Sequence, residues 1–298
     1  MKAAIVLTTI RIPELLIGYM DNLEKYEYND DVGFIIIGDR RTPHKAINRL
    51  VEVIRKRGHS AEYWDPARQR RWLIRFPNLS KIIPWNSDCR RNIGYLLAHM
   101  QEAEIIIALD DDNFVTADDY YGGHSVVGDV KSLTTISSAN KWFNPCSMLE
   151  TSHGHTIYPR GFPYSRRWKD KVTSNHSSGR IVLNMGLWTG TPDADAITHL
   201  NEPVTIKGLK SEQVMLAPGT FCPINTQNTA FHKDILPCYY YVLMGAQIGG
   251  LKLDRYGDIW SGYFAKKVID QVGDRVSIGK PLTDHRRNIH DLFKDLKA

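Results

Sequence analysis

Through residue 57 the chain alternates short apolar runs with amphipathic ones, and this alternation constrains the fold more than any other feature. Ala3–Leu7 is unbroken apolar sequence, of the length expected for a strand buried on both faces. Pro13–Lys25 carries Leu15, Leu16, Met20 and Leu23 at helical spacing. Val32–Ile37 reads as a second strand and His44–Arg57 as a second helix. A parallel strand pair needs a long crossover, usually a helix, so the alternation implies parallel strands with helices packed on the sheet. The pattern returns later: Arg90–Glu102 predicts a helix with Ile93, Leu96, Leu97 and Met100 on its apolar face, and Ile105–Leu109 a strand. The expected architecture is an α/β domain, Rossmann-like, with a mainly parallel central sheet flanked by helices.

In such sheets, ligands gather outside the carboxyl ends of the strands, so the residues that follow each strand are the first places to look for chemistry. Thr9 and Arg11 follow the first strand and Asp39 the second. Asp39 reads either as an acceptor for a ribose or base, or as a turn residue. Ile105–Leu109 runs directly into Asp110, Asp111 and Asp112. Three adjacent carboxylates repel one another unless water solvates them or a hard divalent cation neutralises them with oxygen ligands. The cluster therefore reads as a Mn2+ or Mg2+ site that holds a substrate phosphate, or more plainly as an acidic turn closing a strand. Arg90 and Arg91 open a predicted helix, where guanidinium groups and the first backbone N–H groups face either an anionic diphosphate or solvent.

Composition excludes several classes of function. With 298 residues and 42% hydrophobic content, the chain can bury a full core as one large domain, and no internal repeat or low-complexity linker argues for a second. The net charge of +5 is mild, and Lys and Arg are scattered rather than striped. This suits a small phosphate-bearing substrate, and no zinc-finger or RNP signature points to a nucleic acid. Cys89, Cys146, Cys222 and Cys238 lack zinc-site spacing and read as the reduced thiols of a cytoplasmic protein. The apolar start is too short for a signal peptide, and no apolar run approaches the ~20 residues that a membrane span needs. Asp118–Gly128 and Ser152–Arg180 are rich in Gly, Ser, His, Tyr and Asp, and read as long irregular loops of the kind that carry function. His153, His155 and His176 lie there; without a third ligand at useful spacing, the His-x-His pair reads as a solvated loop rather than a zinc site.

Several motifs occur in one order: Ser87–Leu96, Asp110–Asp112, Arg160–Arg167, Gly186–Trp188, Pro192–Asp195, Gly219–Thr220 and Arg255–Gly262. In these motifs, from about Thr8 to His285, the chain resembles the reversibly glycosylated polypeptides, the UDP-arabinopyranose mutases of plants and their microbial relatives. The resemblance implies a single GT-A-like domain, with a nucleotide-binding part at about 1–115 and a sugar or acceptor part at about 116–298. It implies a UDP-sugar donor bound by Thr9, Arg11, Asp39, Ser87, Arg90, Arg91, Asp110 and Asp111. It further implies Mn2+ or Mg2+ on Asp112 and Asp110, with His285 completing the coordination shell.

The resemblance also implies that Arg160 carries the sugar and that Arg167 is required for activity. A guanidinium is a poor nucleophile as the cation, so transfer to Arg160 needs a carboxylate to accept a proton as the bond forms. Asp193, Asp195 and Asp258 are the candidates, all in matched motifs. Asp258 can equally serve as the N-cap of a helix predicted to run to Val272. Plant members carry an acidic residue where this chain has Gly257, so one carboxylate on the acceptor side is missing. The activities implied are transfer to an unidentified acceptor or reversibly to Arg160, with mutase-type ring interconversion and a catalytically silent nucleotide-sugar-binding subunit as alternatives. A homo-oligomer stays open.

Overall fold

The computed structural model describes the chain except residues 170, 202, 246, 249–250, 253–255, 288–291 and 294–298; Arg255 of the last motif lies outside the described residues. The first part consists of β1 (Ala3–Thr9), α1 (Leu15–Lys25), β2 (Val32–Gly38), α2 (His44–Lys56), β3 (Ser60–Trp64), α3 (Pro66–Leu73), α4 (Pro77–Ile82), α5 (Arg91–Met100) and β4 (Ile105–Leu109). Its strands lie parallel in the order β3-β2-β1-β4. Successive residues of β1 point to opposite faces. Ala3, Ile5 and Leu7 pack with Leu16 and Met20 of α1 and Ile47 and Ile54 of α2. Ala4 and Val6 pack with Ile93 and Leu97 of α5. Both faces are covered, which is why these strands read as continuous apolar runs. Met100 departs from the expectation: in the terminal turn of α5 it is 48% exposed.

The second part adds β5 (Asn113–Val115), α6 (Tyr120–His124), β6 (Val130–Ser138), β7 (Leu149–Thr151), β8 (Val172–Gly190), α7 (Ala196–Asn201), β9 (Ile206–Leu209), β10 (Val214–Leu216) and β11 (Asn228–His232). The small hairpin β12 (Gln247–Ile248) and β13 (Leu251–Lys252), then α8 (Gly257–Val272) and β14 (Arg275–His285), complete it. Among the described residues one sheet of twelve strands runs β3-β2-β1-β4-β11-β8-β6-β10-β14-β5, with β7 and β9 attached. The fold is thus a single mixed α/β domain with a large central sheet. The first four strands are all parallel, and further on β10 runs parallel to β6 and β14 to β8. Beyond β4 the sheet is mixed, because β11 runs antiparallel to both β4 and β8.

One expected loop, 152–180, ends in a strand. Residues 172–180 form the first half of the 19-residue β8 and pair with β6. Their polar composition is what an exposed antiparallel ribbon permits. Likewise α6 lies inside the expected 118–128 loop. The second half of β8 pairs with β11 and β14. This brings the far end of β14 beside β5, with His285 opposite both Asn113 and Gly190. Among the described residues no helix is long and apolar enough to cross a membrane.

Candidate functional site

The carboxyl ends of β1, β2 and β4 open onto a cleft of about 430 Å3, the size of a small-molecule site. Parallel register brings these ends together, since β1 pairs Ala3 with Val32 of β2 and with Ile105 of β4. Thr9, Arg11, Asp39, Ser87, Arg90, Arg91 and Asp110 to Asp112 all line the cleft. Asp39 also organises it. The buried carboxylate accepts from the backbone N–H of Arg40 at 2.6 Å and of Ser87 at 3.3 Å, joining two loops. Arg90 stacks on Trp85, 3.4 Å from the ring centroid, while its Nε donates to Gln69 at 2.8 Å. Its Nη2 is buried with no hydrogen-bond partner among the described residues, a donor that an acceptor-rich ligand would satisfy.

Each aspartate of the cluster is answered differently. Arg91 Nη2 donates to Asp110 Oδ1 at 2.5 Å, and the same buried guanidinium donates to the Thr226 carbonyl and hydroxyl at 2.9 and 2.8 Å. Thr9 Oγ1 donates to Asp111 Oδ2 at 2.6 Å. Asp112 Oδ2 lies 3.7 Å from His285 Nε2. Desolvation raises Asp110 and Asp111 above the usual carboxylate range against the pull of Arg91 and Thr9 respectively. For Asp110 the surrounding walls do this, since 40% of the side chain is open to the cleft.

His285 is oriented from behind. Its Nδ1 donates to the Thr191 carbonyl at 2.6 Å, which leaves Nε2 as the nitrogen facing Asp112. Burial pulls its pKa down, but Asp112, Asp193 and the Thr191 carbonyl outweigh that and raise it. Gly190 permits the arrangement: its φ is +76°, and a Cβ there would lie 2.6 Å from the His285 carbonyl oxygen. Among the described residues no three His, Cys, Asp or Glu side chains converge as a ready-made metal site. Asp112 and His285 supply one oxygen and one nitrogen. That donor set fits a divalent cation that fills the rest of its shell with substrate phosphates and water.

The arginine loop forms a second group. Pro159 bridges to Ala194, and Arg160 N–H donates to the Asp193 carbonyl at 2.9 Å. The Arg160 guanidinium lies between two carboxylates, with Nε to Asp193 Oδ1 at 3.0 Å and Nη2 to Asp258 Oδ2 at 2.9 Å. Asn225 steadies Asp193 through a 3.1 Å hydrogen bond. Burial acts against the charge on Arg160, yet the two carboxylates hold it firmly protonated. Burial likewise pushes Asp193 up, but Arg160 holds it below the usual range. Arg167 donates to Asp195, which also accepts from the Tyr164 hydroxyl at 2.8 Å. The Tyr164 ring covers the Arg167 guanidinium at 3.9 Å.

Asp258 does not cap the helix considered for it: α8 has Tyr256 at its N-cap position and no side-chain capping hydrogen bond, whereas α7 is capped by another carboxylate of the site. Asp195 Oδ1 accepts from Thr198 N and Oγ1 at 2.8 and 2.9 Å and so caps α7. Asp258 instead sits within the first turn of α8 and turns to Arg160, and its Oδ1 is buried without a partner among the described residues. Gly257 abuts the preceding segment. A Cβ there would come within 2.3 Å of the Val242 carbonyl oxygen, so this backbone arrangement has no room for an acidic side chain. The two groups share one field: His285 helps to lower Asp193, and Asp258 helps to raise Asp110.

Tyr241 was missing from the sequence reading. It lines the cleft, held by reciprocal hydrogen bonds between its backbone and the Asn92 amide at 2.7 and 2.9 Å. The run Tyr239–Tyr240–Tyr241 was the available signal, but nothing local tied it to a helix 149 residues away. His153 and His155 stand with ring centroids 6.3 Å apart, and His176 meets Thr134, with no metal cluster among the described residues. All four cysteines are free thiols.

The profile of the family described as reversibly glycosylated polypeptide matches residues 69–298. UDP-arabinopyranose mutase 3 of Arabidopsis thaliana is 29% identical over 286 residues, covering 95% of this chain and 70% of that protein. Probable UDP-arabinopyranose mutase 4 of Arabidopsis thaliana is 30% identical over 200 residues, 66% of this chain and 50% of the relative. UDP-arabinopyranose mutase 1 of Oryza sativa subsp. japonica is 28% identical over 213 residues, 71% and 54%. The matched region thus spans from about half to 70% of these relatives' length. Among solved structures, mannosyltransferase PcManGT from Pyrobaculum calidifontis in complex with GDP-Man and Mn2+ has a TM-score of 0.41 at 12% identity, over 95% of this chain and 56% of that one. S. aureus TarS 1-349 in complex with UDP-GlcNAc has a TM-score of 0.43 at 11% identity, over 98% and 61%.

Proposed function

From the membership of this chain in the reversibly glycosylated polypeptide family, we propose that it is a metal-dependent sugar-transferring enzyme that takes a UDP-sugar and passes the sugar reversibly to Arg160. The observation that carries this reading is the Arg160 guanidinium held between Asp193 and Asp258, within the field of the small-molecule-sized cleft lined by Arg90 and Arg91. In the forward step the bond from the anomeric carbon to the diphosphate breaks, and UDP leaves with the electron pair. The Arg160 Nη2 lone pair forms the new C–N bond, and its proton passes to Asp258 Oδ2 at 2.9 Å. Asp193 holds the Nε edge throughout. Return of the proton from Asp258 to Nη2 as UDP re-attacks reverses the step and restores the UDP-sugar. Ring interconversion would occur while the sugar is on Arg160, the bond from the anomeric carbon to the ring oxygen breaking as Nη2 pushes in its electron pair and the Asp258 proton passes to that oxygen. A different hydroxyl then closes on the anomeric carbon and returns its proton to Asp258. A divalent cation held by Asp112 and His285 would neutralise charge on the departing diphosphate. Arg91 offsets the charge of Asp110 at the same wall.

A second reading rests on one specific observation. Because its two carboxylates hold Arg160 so firmly protonated, it suits equally the role of a fixed cation that positions a sugar transferred directly to an external acceptor. Intact-mass measurement separates the two. The protein is incubated with Mn2+ and, in turn, UDP-arabinopyranose, UDP-xylose and UDP-glucose. One glycosyl mass should appear on the wild type, be removed by added UDP, and be absent from Arg160→Lys. Turnover in both variants with no adduct on either selects direct transfer. Absence of both turnover and adduct with every donor would leave a nucleotide-sugar-binding subunit.

A further inference from the structure

A second groove, of about 490 Å3, shares no lining residue with the aspartate cleft. Its most distinctive feature is Trp168. The indole is 73% exposed, yet it is not loosely held. The residue adopts φ +63°, a left-handed conformation that costs a bulky residue about 1–3 kcal/mol unless the surroundings enforce it. The surroundings do so: the Trp168 N–H donates to the Tyr158 hydroxyl at 2.8 Å, and the two rings meet edge to face at 5.0 Å. The chain thus uses a strained backbone to hold a large aromatic face out in the open beside a groove.

The rest of the groove states what that face is for. Half-exposed Ile197, on the capped helix α7, adds apolar surface. His155, Thr156 and Asn201 add side chains that donate and accept hydrogen bonds. Among the described residues the one arginine in the wall, Arg167, is neutralised by Asp195. A flat apolar platform, a hydrogen-bonding rim and balanced charge match a ligand that is neutral, has one C–H-rich face and is edged with hydroxyls. A pyranose has that chemistry, its polarised C–H groups resting on the negative face of the indole. A phosphorylated or otherwise anionic ligand would find no uncompensated arginine among the described residues of this wall.

We propose that this groove is a saccharide site, in which one neutral sugar ring stacks on Trp168 and its hydroxyls are read by Thr156, Asn201 and His155. The position also suits an acceptor. Arg167 and Asp195 join the groove to the segment that carries Asp193, the carboxylate holding Arg160. Acceptor status rests on the sugar-transfer reading above; saccharide binding does not.

Saturation-transfer NMR on the full chain tests the site, with cellobiose, xylobiose and maltose as probes against wild type, Trp168→Ala and Trp168→Phe. UDP binding in the presence of Mn2+ is measured on the same samples. Ring protons of at least one disaccharide should receive saturation from the wild type and from Trp168→Phe. Affinity should fall about tenfold or more in Trp168→Ala. UDP affinity should be the same in all three, which also certifies that the variants are folded. No saturation from the wild type with any of the three sugars overturns the proposal, as does equal binding by Trp168→Ala. So does a change in sedimentation on Trp168→Ala without any saccharide signal, because the indole would then belong to a protein interface. Failure of the wild type to bind UDP would instead count against the sugar-transfer reading and leave the saccharide result standing.

Discussion

Replacing Asp258 with Asn separates proton transfer from packing, because the amide keeps nearly the volume of the carboxylate. In the native arrangement Asp258 Oδ2 accepts from Arg160 Nη2 at 2.9 Å, with the two side chains only 10% and 23% exposed. Stripping a buried charge of its last partner costs about 3–5 kcal/mol. That penalty does not apply in full, since Asp193 still neutralises Arg160 through its Nε edge. The loss is closer to that of one charge-assisted hydrogen bond, about 2 kcal/mol, and should lower Tm by about 4 °C in a domain of this size. The effect on chemistry should be far larger. With the Asp258 carboxylate gone, the carboxylate left at Nη2 is Asp193 at the longer distance of 3.4 Å, and formation of the glycosyl adduct should slow by about 10²- to 10⁴-fold, or roughly 3–5 kcal/mol in the barrier. UDP affinity should not change. Calorimetry gives the stability term, quenched time points read by intact mass give the rate, and UDP titration controls for binding. An adduct that forms at the wild-type rate in Asp258→Asn would refute the assignment. If Asp193→Asn abolished the adduct while Asp258→Asn spared it, the proton would go to Asp193.

Two further outcomes follow from the same geometry. His285→Ala should raise the Mn2+ concentration needed for tight UDP binding by about tenfold or more and leave metal-free UDP binding as it was; an unchanged Mn2+ dependence in calorimetric titrations removes His285 from the site. His124 offers a test of the fold instead. The buried ring has Nε2 against Asn228 Oδ1 and Nδ1 against the Asn184 amide, both at 3.0 Å, so the neutral tautomer is satisfied and a second ring proton would face a donor. Burial pushes its pKa down to about 4. With the folded value below the unfolded ~6.5, its contribution is full above ~6.5 and is lost as pH falls toward 4, about 3 kcal/mol in all. Urea unfolding at pH 7.5 and 4.5 should show this loss in wild type and not in His124→Gln; equal slopes in both would assign the acid sensitivity to other groups.

How legible the protein was depended on the range over which each signal acts. The β1-α1-β2-α2 unit and β4 are visible in the sequence because burial on both faces of a parallel sheet writes unbroken apolar runs, and a helix on that sheet writes a 3.6-residue period. The cleft residues were visible for a related reason. Thr9, Arg11, Asp39 and Asp110 to Asp112 follow strand ends, and parallel register brings such ends to one edge. By contrast, residues 172–180 looked like loop, since a strand exposed to water carries no apolar signature, and only its pairing with β6 makes it a strand.

By itself, then, the sequence determined the fold class, the edge of the sheet at which ligands gather, and the set of charged residues available there, all of which follow from local periodicity and chain direction. The tertiary structure decided which charge answers which. Asp110 belongs to Arg91, Asp112 faces His285, Asp258 shares Arg160 with Asp193, and Asp195 caps a helix while holding Arg167. Many of these partners lie tens to more than a hundred positions apart in the chain. Their pairing depends on a long strand that changes partners midway and on a glycine that lets Thr191 close against His285. The role of a carboxylate is fixed by what stands within hydrogen-bonding distance, and no local pattern of residues records that distance.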